Sequence, residues 1–187
     1  MMKRMRVQLG ILLLAATAAS MSASQALAVD RGELDRNARN ALKSLYANNT
    51  AARLLGKQAK AILVFPNIVK AGFFFGGQMG DGVLMKQGKT VGYYNSLAGS
   101  YGLQAGVQVF GYALFFMNEA ALAYLDKSDG WEIGVGPSIV IVDEGVGKTL
   151  TTTTGRSDVY AFIFDQKGLM AGIGIQGSKI TKISPDK

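Results

Sequence analysis

Among 187 residues there is no cysteine and no histidine. The first absence removes disulfides, thiolate metal sites and thiol nucleophiles. The second removes Ser-His-Asp and Cys-His catalysis and the usual zinc sites. Enzymology would have to run on carboxylates, lysine or tyrosine, and no cofactor or metal is expected. Without cysteine, a lipid-modified N-terminal cysteine is excluded too, so attachment to a membrane after cleavage is expected to be non-covalent, through side chains or a partner. Proline occurs three times and tryptophan once, against 24 glycines. With no fixed period and many aromatics, that glycine content points to short strands and tight turns, and away from collagen or disorder.

The remaining chemistry-like strings fail on context. Gly147-Lys148-Thr149 resembles the end of a phosphate loop, but such a loop needs glycine where Val142 stands, and a helix where Thr151 to Thr154 read as strand. Gly172-Ile173-Gly174-Ile175-Gln176-Gly177 has the letters of a dinucleotide fingerprint, yet the ten residues after it are too few for the crossover helix and second strand. It reads as a glycine-rich strand. The acids Asp143, Glu144, Asp158 and Asp165 sit at predicted strand ends beside turn residues, where Asp most often serves the turn.

Residues 1–28 read as a signal peptide: Lys3, Arg4 and Arg6 precede an apolar run, and Ala26-Leu27-Ala28 offers a cleavage site before Val29. The apolar run is about half of the roughly 20 residues that span a bilayer. Export is therefore expected, to the periplasm, with peripheral attachment to a membrane there. Residues 29–187 are expected to form a single domain, and a chain of 187 residues at 49% apolar content has material for a core. Three of the 20 Lys and Arg lie in the leader, leaving 17 against 13 acids, or +4 on the mature chain. A mildly basic exported protein suits anionic lipid headgroups better than nucleic acid, and no nucleic-acid partner is expected.

The chain is organised around residues 93–116. Leu103, Ala105, Val107 and Val109 alternate with Gly102, Gln104, Gly106 and Gln108, the period of a strand. Phe110 to Phe116 then turn wholly apolar, as when both faces of a strand are covered. This predicts the central strand of a buried sheet. Upstream, Leu34, Ala38, Ala41, Leu42 and Leu45 predict an amphipathic helix over 30–48 with a basic side. Asn48-Asn49-Thr50 stops it and caps a shorter helix reaching Ala59, its apolar side at Ala51, Leu54 and Leu55. A strand over 61–65 ends at Pro66, and Asp81-Gly82 and Gln87-Gly88-Lys89 read as turns around a hairpin of 82–86 and 90–95. Asn118 caps an inserted helix, and further strands are expected at 131–135, 138–142, 150–154, 159–164 and 169–175. The fold class is α+β: N-terminal helices packed on a mainly antiparallel, glycine-rich β-sheet, sandwich or barrel-like, with one inserted helix.

Gly92-Tyr93-Tyr94-Asn95, Ser100-Tyr101-Gly102-Leu103-Gln104-Ala105-Gly106, Asp129-Gly130-Trp131-Glu132 and Gly168-Leu169-Met170-Ala171-Gly172 resemble, in order, the SYLF family. That resemblance implies lipid binding and, in eukaryotic members, contact with actin, for which an exported chain has no occasion. From the residues themselves, Arg53, Lys57, Lys60 and Lys70 cluster in sequence beside the apolar Ile62 to Phe65 and Phe73 to Phe75. Such a set can draw in lipid phosphates and insert apolar groups. The candidate lipid-binding residues are Arg53, Lys57, Lys60, Lys70, Phe73 and Phe74, with an anionic phospholipid membrane as partner. The three phenylalanines also fit a core strand with bulges, and the helices also fit a simple cover for the sheet. Two other functions remain open: an interaction module that pairs with envelope proteins or a copy of itself, and an apolar carrier, a barrel around Phe73 to Phe75, Tyr93 and Phe115.

Overall fold

The structure, a computed structural model, describes residues 30–127, 130–132, 135–142, 157–168 and 178–184, with the backbone alone at 73–75 and 100–105. Helix α1 (Arg31–Asn48) buries Leu34, Ala38 and Leu45, one stripe of its cylinder, and starts with Glu33 in the turn where the helix dipole favours an acid. The side chain of Asn49 accepts a hydrogen bond from the Ala52 amide at 2.9 Å and so caps α2 (Thr50–Gly56), as its sequence predicts.

Next come strands β1 (Ala61–Lys86) and β2 (Lys89–Phe116), which pair antiparallel along nearly their whole length. Gln87 and Gly88 join them with φ of 51° and 75°, the two left-handed residues that a type I′ hairpin turn requires. Pro66 does not end the strand. It sits in the register shift between Phe65 and Ile68, where no ladder hydrogen bond from its nitrogen is needed. Asp81-Gly82 is likewise no turn: Asp81 lies opposite Asn95, whose Nδ2 donates to Asp81 Oδ1 at 2.8 Å, and Gly82 lies under the Phe65 ring. A Cβ on Gly82 would stand 2.5 Å from that ring, so the glycine serves packing.

β1 curls back on itself. Thirteen residues of straight strand would separate Asn67 and Gly80 by about 43 Å. Yet a Cβ on Gly80 would lie 2.5 Å from the Asn67 carbonyl oxygen. Gly72, Gly76 and Gly77, with a second register shift between Phe73 and Phe75, occupy the bend. The described strands form one curled sheet, so of the two expected forms the barrel-like one is adopted and the two-sheet sandwich is not.

β2 is the centre of that sheet. Along its second edge it pairs with β5 (Val159–Gly168) through Gln108 to Phe116, and with β6 (Lys179–Ile183) through Tyr93 to Leu97. β4 (Ile139–Val142) adds parallel to β5, and β3 (Trp131–Glu132) antiparallel to β6. β6 goes unpredicted because Lys179-Ile180-Thr181-Lys182-Ile183 is short and half polar. The expected strands at 150–154 and 169–175, the phosphate-loop-like and dinucleotide-like strings, Asp143-Glu144 and the leader all lie outside the described residues.

Both faces of the sheet are covered, as the wholly apolar run in β2 predicts. Leu63, Phe65, Tyr112, Leu114 and Phe116 point to one face, with Leu125 and Trp131. Ile62, Val64, Ala113 and Phe115 point to the other, against α1 and α2. Alternation assigns each residue its face, and the helices decide that neither face is wet.

The inserted helix, α3 (Glu119–Ala123), continues as a 3₁₀ turn through Asp126 and is capped by Asn118, whose side chain accepts from the Ala121 amide at 2.8 Å. Asn118 Nδ2 in turn donates to Asp158 Oδ1 at 2.8 Å, while Asp158 Oδ2 accepts from the Ser138 amide and hydroxyl at 2.9 and 2.8 Å. One carboxylate thus ties the start of α3, the residue before β4 and the residue before β5. The Ser138 amide, then the Asn118 and Ser138 side chains, hold the Asp158 carboxyl below the usual carboxylate range. A depressed folded-state pKa contributes stability that is present above the unfolded value and is lost as pH falls through the folded one. Asp158→Asn should accordingly lower the melting temperature at neutral pH and lose part of the drop seen on acidification below the ordinary carboxylate range. Thermal melts across acid pH compare the two, and parallel curves for wild type and variant would refute the role of Asp158.

Candidate functional site

The short helix α2 buries Ala51 and Ala52 and turns Arg53, Leu54 and, just past its end, Lys57 outward. Lys60, at the entry to β1, is exposed as well. Leu54 is 53% exposed, although helical spacing assigns it to the inner side. With under two full turns the helix has room for one narrow buried contact, which the alanines fill, and Leu54 is left among the cations.

The guanidinium of Arg53 reaches the Tyr46 carbonyl and the Thr50 hydroxyl only at 3.5 Å each, contacts near the limit of a hydrogen bond. Among the described residues, no acid pairs with Arg53, Lys57 or Lys60, whereas Lys86 pairs with Glu119 at 3.2 Å and Lys182 with Asp126 at 3.0 Å. The basic side of α1 is used differently. Arg39 donates to the Gly88 carbonyl at 2.8 Å, and Asp35 accepts from the Thr90 hydroxyl at 3.1 Å, which fastens the helix to the hairpin turn.

Of the six candidate residues the structure brings three together: Arg53, Lys57 and Lys60. Lys70 is placed apart, ten residues along β1 from Lys60 and 3% exposed, opposite Gln108, which is also buried. A cluster in sequence is not a cluster in space once a strand extends between its members. The backbone of Phe73 pairs with Ala105, and the side chains of Phe73 and Phe74 lie outside the described residues. Phe115, expected around an apolar cavity, is fully buried and packed edge-on against Phe162 with ring centroids 4.9 Å apart.

The curl leaves a second feature that the sequence reading does not find. Two register shifts fall at neighbouring residues of β2: Pro66-Asn67 bulges opposite Gly111 on one edge, and Asp165-Gln166 opposite Phe110 on the other. Between these bulges and α1 lies a cleft of about 340 Å³. Polar residues at 37, 40 and 44, spaced along one side of a predicted helix, are the one signal that sequence offers, and such residues most often face water.

Residues 97–185 match the sequence model of the Ysc84 family, described as Las17-binding protein actin regulator, which is the SYLF family of the sequence resemblance. No curated protein matches the chain. The match covers the later part of β2 through β6 and leaves out α1, α2 and β1, so the basic face of α2 stands on its own geometry.

Proposed function

This chain carries a domain of the SYLF family over residues 97–185, and from that premise we propose that it binds the surface of an anionic phospholipid membrane and catalyses nothing, after export directed by residues 1–28. The observation that carries this reading is the exposed trio Arg53, Lys57 and Lys60 with Leu54 among them and no acid within reach among the described residues. Each cation near an anionic surface contributes about 1 kcal/mol, and a half-exposed leucine beside them can enter the headgroup layer. Three cations give about 3 kcal/mol, enough for reversible attachment and too little for a permanent anchor. The non-catalytic part rests on the missing histidine and cysteine, without which Ser-His-Asp and Cys-His catalysis cannot be built. Actin regulation is not carried over to this chain, because an exported protein meets no actin.

Flotation of the mature chain with phosphatidylglycerol-containing vesicles tests this reading. Binding is expected at low salt and is expected to weaken as salt screens the exposed charges. Replacing Arg53, Lys57 and Lys60 together by Glu should abolish flotation without changing the melting temperature by more than a few degrees, since all three are exposed. Flotation that survives the triple reversal would sink the assignment of α2, and no flotation of the wild-type chain at low salt would sink lipid binding itself.

A further inference from the structure

The cleft between α1 and the sheet is built rather than left over. Asn37, Asn40 and Ser44 come down from α1, Asn67 from the bulge in β1, and Asp165 and Lys167 from β5. The Ser44 hydroxyl lies 3.4 Å from Asp165 Oδ1, a contact near the limit of a hydrogen bond that links the helix wall of the cleft to the β5 wall. Asp165 has φ of 51°, in the left-handed region that a residue with a Cβ enters at a cost. Gly111, opposite the β1 bulge and paired with Phe164 just before the β5 bulge, leaves space that the Phe164 ring takes, since a Cβ there would stand 2.5 Å from that ring. Two bulges at one level, with a strained acid in one of them, re-aim side chains in the manner seen at binding sites.

The chemistry of the walls narrows the ligand. Three primary amides and a hydroxyl both donate and accept, so they match groups that do the same, above all alcohols. Asp165 and Lys167 cancel in charge, which disfavours an anion and a cation alike. Pro66 and Phe110 add apolar wall beneath the polar rim, a surface for the C–H face of a ring. At about 340 Å³ the cleft is at the small end of ligand pockets, which run from roughly 300 to 1,000 Å³. We infer that it is a binding site for a neutral polyhydroxylated ring, a single saccharide unit, with the Asp165 carboxylate accepting from adjacent hydroxyls and the amides of Asn37, Asn40 and Asn67 pairing with the rest. The unit is either free or terminal on a glycan, or the headgroup of a glycolipid; the site is independent of the basic face of α2.

Saturation-transfer NMR on the full chain with glucose, galactose, mannose and N-acetylglucosamine tests it. At least one of these should give transfer that competes with an excess of itself and saturates. Asp165→Gly removes the carboxylate and suits the left-handed backbone, so it should fold at least as well as wild type while weakening binding roughly tenfold or more. Asn40→Ala, at an exposed position, should weaken binding in the same direction. Phosphatidylcholine vesicles with and without a monogalactosyl diacylglycerol separate the sources: pull-down only with the glycolipid assigns a headgroup, and binding of free sugar alone assigns a soluble glycan. The triple reversal at Arg53, Lys57 and Lys60 should leave saccharide binding intact, just as Asp165→Gly should leave flotation on anionic vesicles intact. No transfer from any of the four sugars together with no pull-down on the glycolipid vesicles, or binding unchanged in both cleft variants, overturns the inference.

Discussion

Phe115→Ala should cost about 3–5 kcal/mol, the range for deleting a buried phenylalanine, out of a total stability of roughly 5–15 kcal/mol. The ring is fully buried, lies edge-on to Phe162 at 4.9 Å and faces Tyr46 of α1 at 6.3 Å with the planes 62° apart. It therefore joins the central strand to β5 and to the helix that covers them. Its partners across the strands on that face, Ile62 and Tyr160, are themselves buried in the same cluster, so they cannot leave their places to fill the space it would leave. Denaturant titration should show a lower midpoint with little change of slope. Val107→Ala, at a side chain 57% exposed on the same strand, should stay within about 0.5 kcal/mol. A loss below about 1 kcal/mol for Phe115→Ala would mean that α1 does not rest on this strand as described.

Gly168→Ala should be comparably severe, at about 3–5 kcal/mol, for a reason that has nothing to do with lost burial. Gly168 pairs with Gln108 at the end of β5 and has φ of 99°, where an L side chain is strained by about 1–3 kcal/mol. An added Cβ would also meet the Val107 carbonyl oxygen well inside van der Waals contact, and that atom is backbone, so the clash adds about 1–3 kcal/mol of overpacking. Gly88 separates the two effects. Its φ of 75° carries the same kind of strain, but nothing stands within 4 Å of a Cβ there. Gly88→Ala should therefore cost only about 1–2 kcal/mol. Equal losses at the two glycines would show that conformational strain alone matters and that β2 does not approach Gly168 as closely as described.

Much of the fold is legible because its causes are local. The stripe Leu34, Ala38, Leu45 marks α1, and Asn49 and Asn118 cap the helices that follow them. The wholly apolar stretch from Phe110 marks a strand covered on both faces. The readings that differ concern residues whose meaning depends on a distant neighbour. Asp81-Gly82 has the letters of a turn, and only the Phe65 ring lying over Gly82 makes it strand. Pro66 has the look of a terminator, and only a bulge beside β2 lets the strand continue. Leu54 has inward spacing, and only the brevity of α2 turns it out.

The candidate sites divide in the same way. Arg53, Lys57 and Lys60 are legible as a group because one helix and its exit carry all three within eight residues. Lys70 looks equivalent by letter and is buried, because a strand alternates its faces and carries its residues away from the helix. The polar cleft draws on α1, β1, β2 and β5, elements up to about 130 residues apart, and no short-range pattern announces it.

Sequence alone determined the classes of chemistry open to this protein, since side chains that are not encoded cannot act, and it determined the helices, their caps and the apolar central strand, since those follow from spacing and local hydrogen bonding. Tertiary structure alone decided that a pair of long strands curls until Asn67 meets Gly80, that Leu54 is turned out and Lys70 in, and that two bulges meet α1 around a cleft. Curvature, exposure and enclosure depend on which distant segments share space, and no local run of residues carries that information.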